Sequence, residues 1–417
     1  MADTLSMADP QFYGDQQQDK SAKTAKINYF SQSLHIVFIA LIIAPNQMFY
    51  SSSNILDALL TEKFGPSTVS TSYVLVSVPS IITIVSLAML IDAFGTRLMF
   101  PFLQLSACIG TLLCAISDKT NSVFWFYFGR FIYGIVGECT QTAQSKLISQ
   151  VIDPKLHSAA FGIANCAAMC AEVLSGWMLP LNNRIFDSMM VILGWQLFGF
   201  VGSIFYTIYA LKYFKTLKCS CEPFTQLFKA LKTLRAPYFF MVVVRVLYYV
   251  AKACYDSRSV SQFQQIYGVQ YEQAKSFVAL QLSVAVGSFI FFSVISPMVK
   301  KNQYLGILGI VLNIIGYSLL FSTAQGIEET ISSLIGVSGA VFVCNTSSLL
   351  LKAAGNDLGA SAIGIVYSLE YLLLSGFFPL AEYISTVNVF GNAIMFISMT
   401  VLSLLLFCFE ISKWTGW

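Results

Sequence analysis

Residues 69–117 read VSTSYVLVSVPSIITIVSLAMLIDAFGTRLMFPFLQLSACIGTLLCAIS, which is two apolar stretches separated by one short polar turn. The stretches cover residues 69–91 and 97–117. Each is long enough to cross about 30 Å of hydrocarbon as a helix. Their apolar residues are continuous and do not alternate with polar ones, which excludes membrane-spanning strands. This part of the sequence therefore predicts two transmembrane helices joined by a tight reversal.

The same apolar pattern recurs along the chain. Of its 417 residues, 56% are hydrophobic and 11% are charged, and the mean hydropathy is +0.70. A soluble protein carries about 25% charged residues, so this chain has too few charges to cover a water-exposed surface. The predicted fold class is an all-α membrane protein with twelve transmembrane helices in two pseudo-symmetric six-helix bundles. The predicted spans are 33–53, 69–91, 97–117, 122–145, 157–181, 188–214, 236–257, 274–297, 303–323, 329–351, 360–384 and 387–412.

The composition and motifs exclude several classes of function. A net charge of +3 gives no reason to expect a nucleic-acid partner, and the lipid bilayer is the expected surrounding. The chain has no G-x-x-x-x-G-K-[ST] loop, no H-E-x-x-H and no G-x-S-x-G, and its two histidines are His35 and His157. We therefore expect no enzymatic activity, no metal site and no cofactor.

The basic residues predict the orientation and the domains. With both termini in the cytosol, sixteen of the 24 Lys and Arg lie on the cytosolic side, five lie opposite and three lie within spans. The predicted domains are a disordered cytosolic tail (1–32), an N-terminal bundle (33–214), a basic cytosolic central loop (215–235) and a C-terminal bundle (236–413). This six-plus-six arrangement is typical of secondary transporters, whose solute path runs between the two halves.

Ionisable residues inside the spans are the candidates for solute contact. A charged residue at a helix centre costs about 2.5–3.5 kcal/mol on insertion scales, so such residues usually face a cavity or a partner. Six are present: Arg130, Glu138, Glu172, Arg245, Lys252 and Glu370. The predicted substrate-binding set is Glu138, Lys252, Arg130 and Glu370, with Tyr248 and Tyr249 from the same helix as Lys252.

Each of these residues also has a structural interpretation. Arg130 can hold carbonyl groups of its bundle, and Glu138 can form a salt bridge that gates the path. Lys252 can pair with Asp256 four residues later, or across the cavity with Glu370. We expect Arg245 to extend toward the cytosolic surface. In the first span, Pro45 followed by Asn46 predicts a helix break that exposes backbone carbonyls to a cavity.

Two motifs carry a family resemblance. The turn Asp92-Ala93-Phe94-Gly95-Thr96-Arg97 has the pattern D-x-x-G-x-R, and residues 129–138 have the pattern G-R-F-x-x-G-x-x-G-E. With Ala160-Phe161-Gly162 in the fifth span, they resemble the major facilitator superfamily, in its lysosomal dipeptide transporter branch. The resemblance implies that Asp92, Gly95 and Arg97 form a gate that latches the two bundles on the cytosolic side when the transporter faces outward.

The same resemblance implies a function. It suggests alternating-access export of a dipeptide or an amino-acid-like zwitterion from an acidic compartment, by uniport, with Glu138 binding the solute amine. It also implies lysosomal or related endomembrane localisation, with the plasma membrane as the alternative, and an accessory membrane glycoprotein. One position departs from the branch, because Met169 stands where the branch places an arginine for the peptide carboxylate.

Other functions remain open at this stage. The solute can be an organic ion or a sugar, although both signs of charge inside the spans favour a zwitterion. A membrane receptor or trafficking partner that transports nothing is the other alternative.

Overall fold

The computed structural model describes residues 29–65, 67–179, 181–182, 184–213, 234, 236–299, 301–322, 324, 326–354, 359–388 and 390–413. The predicted cytosolic tail before residue 29 and the predicted central loop, apart from Leu234, lie outside these described residues.

The described chain is built from helices. Their bounds are α1 Tyr29–Ile55, α2 Asp57–Phe64, α3 Thr68–Phe94, α4 Thr96–Thr120, α5 Val123–Val136, α6 Cys139–Val151, α7 His157–Met178, α8 Ile185–Tyr213, α9 Ala236–Tyr267, α10 Tyr271–Ile295, α11 Asn302–Leu319, α12 Ile327–Ala354, α13 Gly359–Val387 and α14 Gly391–Lys413. Two single turns of 3₁₀ helix, Pro154–Leu156 and Ser296–Met298, join α6 to α7 and extend α10.

Eleven of these helices are long and apolar enough to cross a membrane within the part of the chain that the structure describes. The twelfth crossing consists of α5 followed by α6, which are interrupted at Gly137 and Glu138. The predicted all-helical membrane fold is therefore confirmed. Most helix ends lie within four residues of the predicted ones, but α9 runs to Tyr267 and not to residue 257. The fourth span is two helices and not one.

The helices pack as two halves. We call α1–α8 the N-bundle, where α1 packs on α7 and α4 on α8, and α9–α14 the C-bundle, where α12 packs on α10 and α11. Between the halves, α3 packs on α13 and α7 packs on α10. We call the membrane side on which α1 begins and α14 ends the termini face, and the other side the distal face.

The two bundles meet most closely in the half of the membrane that leads to the termini face. A Cβ added to Gly364 of α13 would lie 2.6 Å from Cβ of Ala88, and one added to Gly162 of α7 would lie 2.8 Å from Cβ of Ser293. Only glycine fits at such separations, because real side-chain atoms do not approach so closely. Gly364 thus allows α13 to pack closely on α3, and Gly162 allows α7 to pack closely on α10.

Candidate functional site

Glu138 lies at the interruption between α5 and α6. The hydroxyl of Ser80 on α3 donates to the Gly134 carbonyl at 2.7 Å. In a regular helix that carbonyl would accept from the N–H of Glu138, four residues later. The Ser80 hydroxyl, which is also 2.7 Å from the Val76 carbonyl of its own helix, offers the Gly134 carbonyl a side-chain donor at the point where the crossing is interrupted.

The carboxylate of Glu138 is buried, with 5% of the residue exposed. It accepts a hydrogen bond from the amide of Gln141 at 3.0 Å, and the hydroxyl of Tyr371 lies near it. Tyr371 belongs to α13, so residues of both bundles surround Glu138. Among the described residues, no basic side chain forms an ion pair with Glu138.

Arg130 is also buried, but it binds backbone and not a carboxylate. Its guanidinium donates to the carbonyls of Phe49 at 2.8 Å and Tyr50 at 3.2 Å. It also lies 4.9 Å from the centre of the Phe49 ring, a cation–π distance. This geometry matches the interpretation that Arg130 holds carbonyl groups of its own bundle. Contact between Arg130 and the substrate stays a prediction.

The carbonyls of α1 do not open to a cavity as predicted from Pro45. The helix is continuous from Tyr29 to Ile55 with Pro45 inside it. Instead, side chains of the N-bundle bond to its carbonyls: Gln104 donates to Ile42 at 2.5 Å and Tyr133 donates to Asn46 at 2.9 Å. Neighbouring helices supply the donors that keep this proline-containing helix satisfied.

Arg245 and Glu370 form a buried ion pair in the C-bundle, with 3.0 Å between Nε and Oε1. The guanidinium also donates to the hydroxyls of Ser347 at 2.6 Å and Tyr367 at 3.3 Å. The prediction for Arg245 is therefore wrong, because it does not extend to the membrane surface. Of the two alternatives for Lys252, the pair with Asp256 is formed and the pair with Glu370 is not. The physical reason is that a buried guanidinium needs several acceptors, which α12 and α13 provide together.

Glu370 and Glu138 face each other across the boundary between the bundles. The second oxygen of Glu370 has no hydrogen-bond partner, and the two carboxylates are within electrostatic range of each other. We call Glu138, Gln141, Tyr371, Glu370 and Arg245 the central cluster. It holds two carboxylates and one guanidinium, and a second guanidinium, that of Arg130, lies within electrostatic range of Glu138 without bonding to it.

Lys252 and Asp256 lie on α9, farther toward the distal face than Arg245. The Lys252 ammonium is 2.5 Å from Oδ2 of Asp256, and Oδ1 of Asp256 accepts from the amide of Gln281 at 2.8 Å. From the N-bundle, Glu172 faces this pair within electrostatic range, and its carboxylate accepts from Gln47 at 3.2 Å. We call these five residues the distal cluster.

The two predicted tyrosines of α9 have different surroundings. Tyr248 is buried inside the C-bundle, where its ring stacks on Phe342 at 3.8 Å and its hydroxyl lies 3.1 Å from that of Ser338. Tyr249 is partly exposed and lies within electrostatic range of Glu138 and Glu370. Tyr249 is thus placed on the path, and Tyr248 supports the helix behind it.

The turn after α3 joins the bundles at the termini face. The carboxylate of Asp92 accepts from the N–H of Ala360 at 3.4 Å, and from the N–H and hydroxyl of Ser361 at 2.7 and 2.5 Å. These donors lie in the first turn of α13, where backbone N–H groups attract an anion. Lys146 of α6 adds an ion pair at 2.8 Å. We call Asp92, Lys146, Ala360 and Ser361 the latch.

Gly95 and Arg97 complete the predicted gating motif. Gly95 has φ of +83°, a conformation that residues with a Cβ rarely adopt, and no atom approaches the position of its missing side chain. It therefore serves the tight reversal between α3 and α4. Arg97 is partly exposed, and its carbonyl accepts from the Thr207 hydroxyl of α8 at 2.7 Å. A gating role for all three residues stays a prediction.

Together, these contacts hold the two bundles against each other at the termini face. The latch, Gly162 and Gly364 all lie in the termini half. In the distal half, Asp256 lies within electrostatic range of Glu172 of the other bundle, and its side chain is 37% exposed.

Several residues of the site were not predicted from the sequence. Gln141 bonds to Glu138 and Tyr371 lies near it, and each could have been found by its spacing, Gln141 three residues after Glu138 and Tyr371 directly after Glu370. Lys146 was counted with the cytosolic loops, but it is buried inside α6 on Asp92. No sequence pattern pointed to Ser361, because only the packing of α13 on α3 brings it next to Asp92.

The chain resembles known transporters in sequence pattern and in fold. The family model described as Major Facilitator Superfamily matches residues 27–379. The chain therefore belongs to the major facilitator superfamily, a family of membrane transporters for small solutes, and the predicted resemblance to it is confirmed. No curated protein sequence matches the chain.

Solved structures share the fold at low sequence identity. The human organic anion transporter MFSD10 (TETRAN) superposes with a TM-score of 0.67 at 15% identity, over 90% of this chain and 98% of that one. The E. coli fucose:proton symporter FucP gives 0.66 at 12% identity, over 90% and 97%. A bacterial homologue of the iron transporter ferroportin, in an outward-facing state, gives 0.66 at 11% identity, over 91% and 99%.

Proposed function

We propose that this transporter moves a small zwitterionic organic solute, a dipeptide or an amino-acid-like molecule, and that Glu138 binds its amine. The observation that carries the proposal is the state of the Glu138 carboxylate. It is buried at a helix interruption between the bundles and accepts a hydrogen bond from the neutral amide of Gln141, but it forms no ion pair with a described residue, and Arg130 acts on it only at electrostatic range. A buried carboxylate is costly without a positive partner, and a solute ammonium would supply one.

Tyrosines around Glu138 suit the same ligand. Tyr50, Tyr249 and Tyr371 all lie within electrostatic range of its carboxylate. Tyr50 comes from the N-bundle, and the other two come from the C-bundle. A tyrosine presents an aromatic face that attracts cations and a hydroxyl that can bond to a polar solute.

Lys252 is the cation that we assign to the solute carboxylate. At position 169 the chain has a methionine, which packs against the cluster of Ala285, Phe289, Ala340 and Cys344 between the bundles. Three residues later in the same helix, Glu172 lies within electrostatic range of Lys252. The ammonium of Lys252 is therefore within electrostatic range of the N-bundle helix that carries Met169.

Lys252 lies one helical turn beyond Tyr249, toward the distal face. Lys252 follows Tyr249 by three residues, about 4.5 Å along the helix axis, and Tyr249 is in range of Glu138. A solute held by Glu138 but lacking a partner for its carboxylate would lose several kcal/mol, whereas micromolar binding provides only about 8 kcal/mol. A second, cationic anchor on the path is therefore required for a zwitterion.

Transport requires the protein to alternate between a form with the termini half closed and a form with the distal half closed. In the distal-open form the solute reaches Glu138 through the distal cluster, while the latch keeps the termini half shut. Release on the other side requires Asp92 to leave the first turn of α13 and α3 to separate from α13. The bound solute neutralises charges of both bundles, which favours the state in which the distal half closes around it.

We place the termini face in the cytosol and the distal face in an acidic compartment such as the lysosome, so that transport is export by uniport. An accessory membrane glycoprotein is proposed as a partner. Tags at both termini, and one inserted near Lys218, should be accessible only from the cytosol in intact cells. Protection of any of these tags would contradict the orientation.

The proposed function is tested with purified protein in liposomes. Uptake of alanyl-alanine, alanine and fucose is measured for the unmodified chain, Glu138→Gln, Lys252→Met and the exposed-site control Lys275→Met. We expect saturable uptake of a zwitterion, lost in both path variants and kept in the control, and Lys252→Met should still move a cationic amine. Full activity of Lys252→Met toward alanyl-alanine would refute the role of Lys252.

The alternative functions give different results in the same experiment. Uptake of fucose alone would identify a sugar transporter, and uptake of an organic ion in place of alanyl-alanine would identify an ion transporter. A protein that stays folded, binds a solute and moves none would be a receptor.

A further inference from the structure

Asp256 and Glu172 have no part in the binding scheme above, although both face the path next to Lys252. Asp256 is bound to the ammonium that the scheme reserves for the solute carboxylate, at 2.5 Å. Glu172 faces the same ammonium from the other bundle without bonding to it. The three residues thus place two carboxylates around one cation in the distal half of the path.

We infer that Asp256 holds the place of the solute carboxylate on Lys252 in the empty transporter, and that Glu172 makes the site select zwitterions over simple anions. This inference rests on the proposed function. An arriving solute carboxylate displaces Asp256 from the ammonium, and the solute amine, which binds at Glu138, adds positive charge between the bundles that offsets the negative charge of Glu172.

The structure makes Asp256 the partner that can leave. Its side chain is 37% exposed, against 21% for Lys252, so its carboxylate can regain water when it is released. Its other oxygen is already bonded to Gln281 at 2.8 Å, which gives the displaced carboxylate a second position. An ion pair with this much exposure is weak, and exchange for another carboxylate is therefore inexpensive.

Lys252 is the partner that stays. Its Cε lies 2.8 Å from the position that a Cβ on Gly339 of α12 would occupy, so the lysine stem fills the space left by that glycine. The stem packs against the neighbouring helix, and the ammonium is held at the wall of the path. A carboxylate can be exchanged there without moving the cation.

Glu172 gives the exchange its selectivity. It is a carboxylate that bonds only to the neutral amide of Gln47 among the described residues, and it repels Asp256 across the path. A plain anion that replaced Asp256 would meet the same repulsion and bring no compensating charge. A zwitterion brings an ammonium group with it, so the repulsion is offset.

The inference is tested by the KM for alanyl-alanine and by competition with N-acetyl-alanyl-alanine, which has the carboxylate but no amine. In Asp256→Asn the KM should fall about three- to fivefold, the strength of a partly exposed ion pair. Glu272→Gln is the matched control, because it breaks the exposed Glu272–Lys275 pair, which is also within one helix, and should leave the KM unchanged. Asp256→Ser provides a second variant should the first fold poorly.

The competition experiment tests Glu172. N-acetyl-alanyl-alanine should not inhibit the unmodified chain at concentrations tenfold above the KM for alanyl-alanine, but it should inhibit Glu172→Gln. The inference is overturned if the KM is unchanged or raised in both Asp256 variants. It is also overturned if the acetylated dipeptide inhibits Glu172→Gln no more than it inhibits the unmodified chain. Uptake itself would remain intact in either case. Failure of the unmodified chain to move any zwitterion would instead overturn the proposed function.

Discussion

The termini half and the distal half of the path hold their carboxylates in opposite ways. At the termini face, Asp92 is 9% exposed and bonds across the bundles to the backbone of Ala360 and Ser361. At the distal face, Glu172 and Asp256 face each other as like charges, and each bonds only within its own bundle. One half is joined by an acid on a helix N-terminus, whereas the other has two acids beside the Lys252 ammonium, each bonded within its own bundle.

This difference indicates what the state of the transporter depends on. The distal-open form is stabilised by contacts made at the opposite end of the molecule, where α3 meets α13 and α7 meets α10. The charges at the open end favour closure only when a ligand adds positive charge between them. Substitutions in the termini half should therefore change the conformational equilibrium, and substitutions in the distal half should change the response to solute.

The largest effect is expected from widening the closest contact in the termini half. Gly364→Leu places a side chain where even a Cβ would lie 2.6 Å from Ala88, so α13 cannot pack on α3. Transport should fall at least tenfold, because the distal-open state is no longer reached. The control is Gly287→Leu on α10, where no atom lies within 4 Å of the added Cβ. Uptake by liposomes measures both, and equal rates would contradict the account.

The next effect concerns the latch itself. Asp92→Asn removes the ion pair with Lys146 and weakens three charge-assisted hydrogen bonds, each worth about 1.5–3 kcal/mol with a charged partner. The uptake rate should fall about tenfold, while solute affinity in detergent, where both faces are accessible, should change less than twofold. A changed affinity with an unchanged rate would make the aspartate part of the binding site.

A smaller effect is expected from the turn that positions Asp92. Gly95→Ala forces a residue with a Cβ into φ of +83°, at a cost of about 1–2 kcal/mol. The melting temperature should fall by a few degrees, with a modest loss of uptake. Gly194→Ala in α8, a helical position with no atom near the added Cβ, should be neutral or slightly stabilising. If both Asp92→Asn and Gly95→Ala left the rate unchanged, the motif would be a plain turn.

The smallest effect belongs to the exposed charges at the distal end. The pair of Lys275 and Glu272 has side chains that are 51% and 80% exposed. Substituting either should change the free energy of unfolding by less than about 1 kcal/mol and leave uptake unchanged. A large loss of uptake would show that the distal charges act together over a wider area than the distal cluster.

Much of the fold could be predicted because hydropathy reports directly on membrane crossing. The twelve apolar stretches and the D-x-x-G-x-R turn were legible in the sequence, since each depends on residues that are adjacent in the chain. The interruption at Glu138 was not, because it depends on the Ser80 hydroxyl from another helix. A pattern of neighbouring residues cannot predict a hydrogen bond between helices that are far apart in the sequence.

The pairing of buried charges was the least predictable part of the site. Sequence spacing found the pair of Lys252 and Asp256, which lie one turn apart, but it did not find the partner of Glu370. Arg245 and Glu370 are 125 positions apart, and the rotation of α9 against α13 decides that they meet. The same rotation separates Tyr249, on the path, from Tyr248, inside the bundle.

The most direct test of the central claim is uptake of alanyl-alanine by liposomes containing Glu138→Gln, beside the unmodified chain. The account predicts saturable uptake by the unmodified chain. The variant should fold with a similar melting temperature and lose uptake by about a hundredfold, because the neutral amide no longer attracts the solute ammonium. Uptake by Glu138→Gln at the rate of the unmodified chain would contradict the assignment of Glu138 as the amine site.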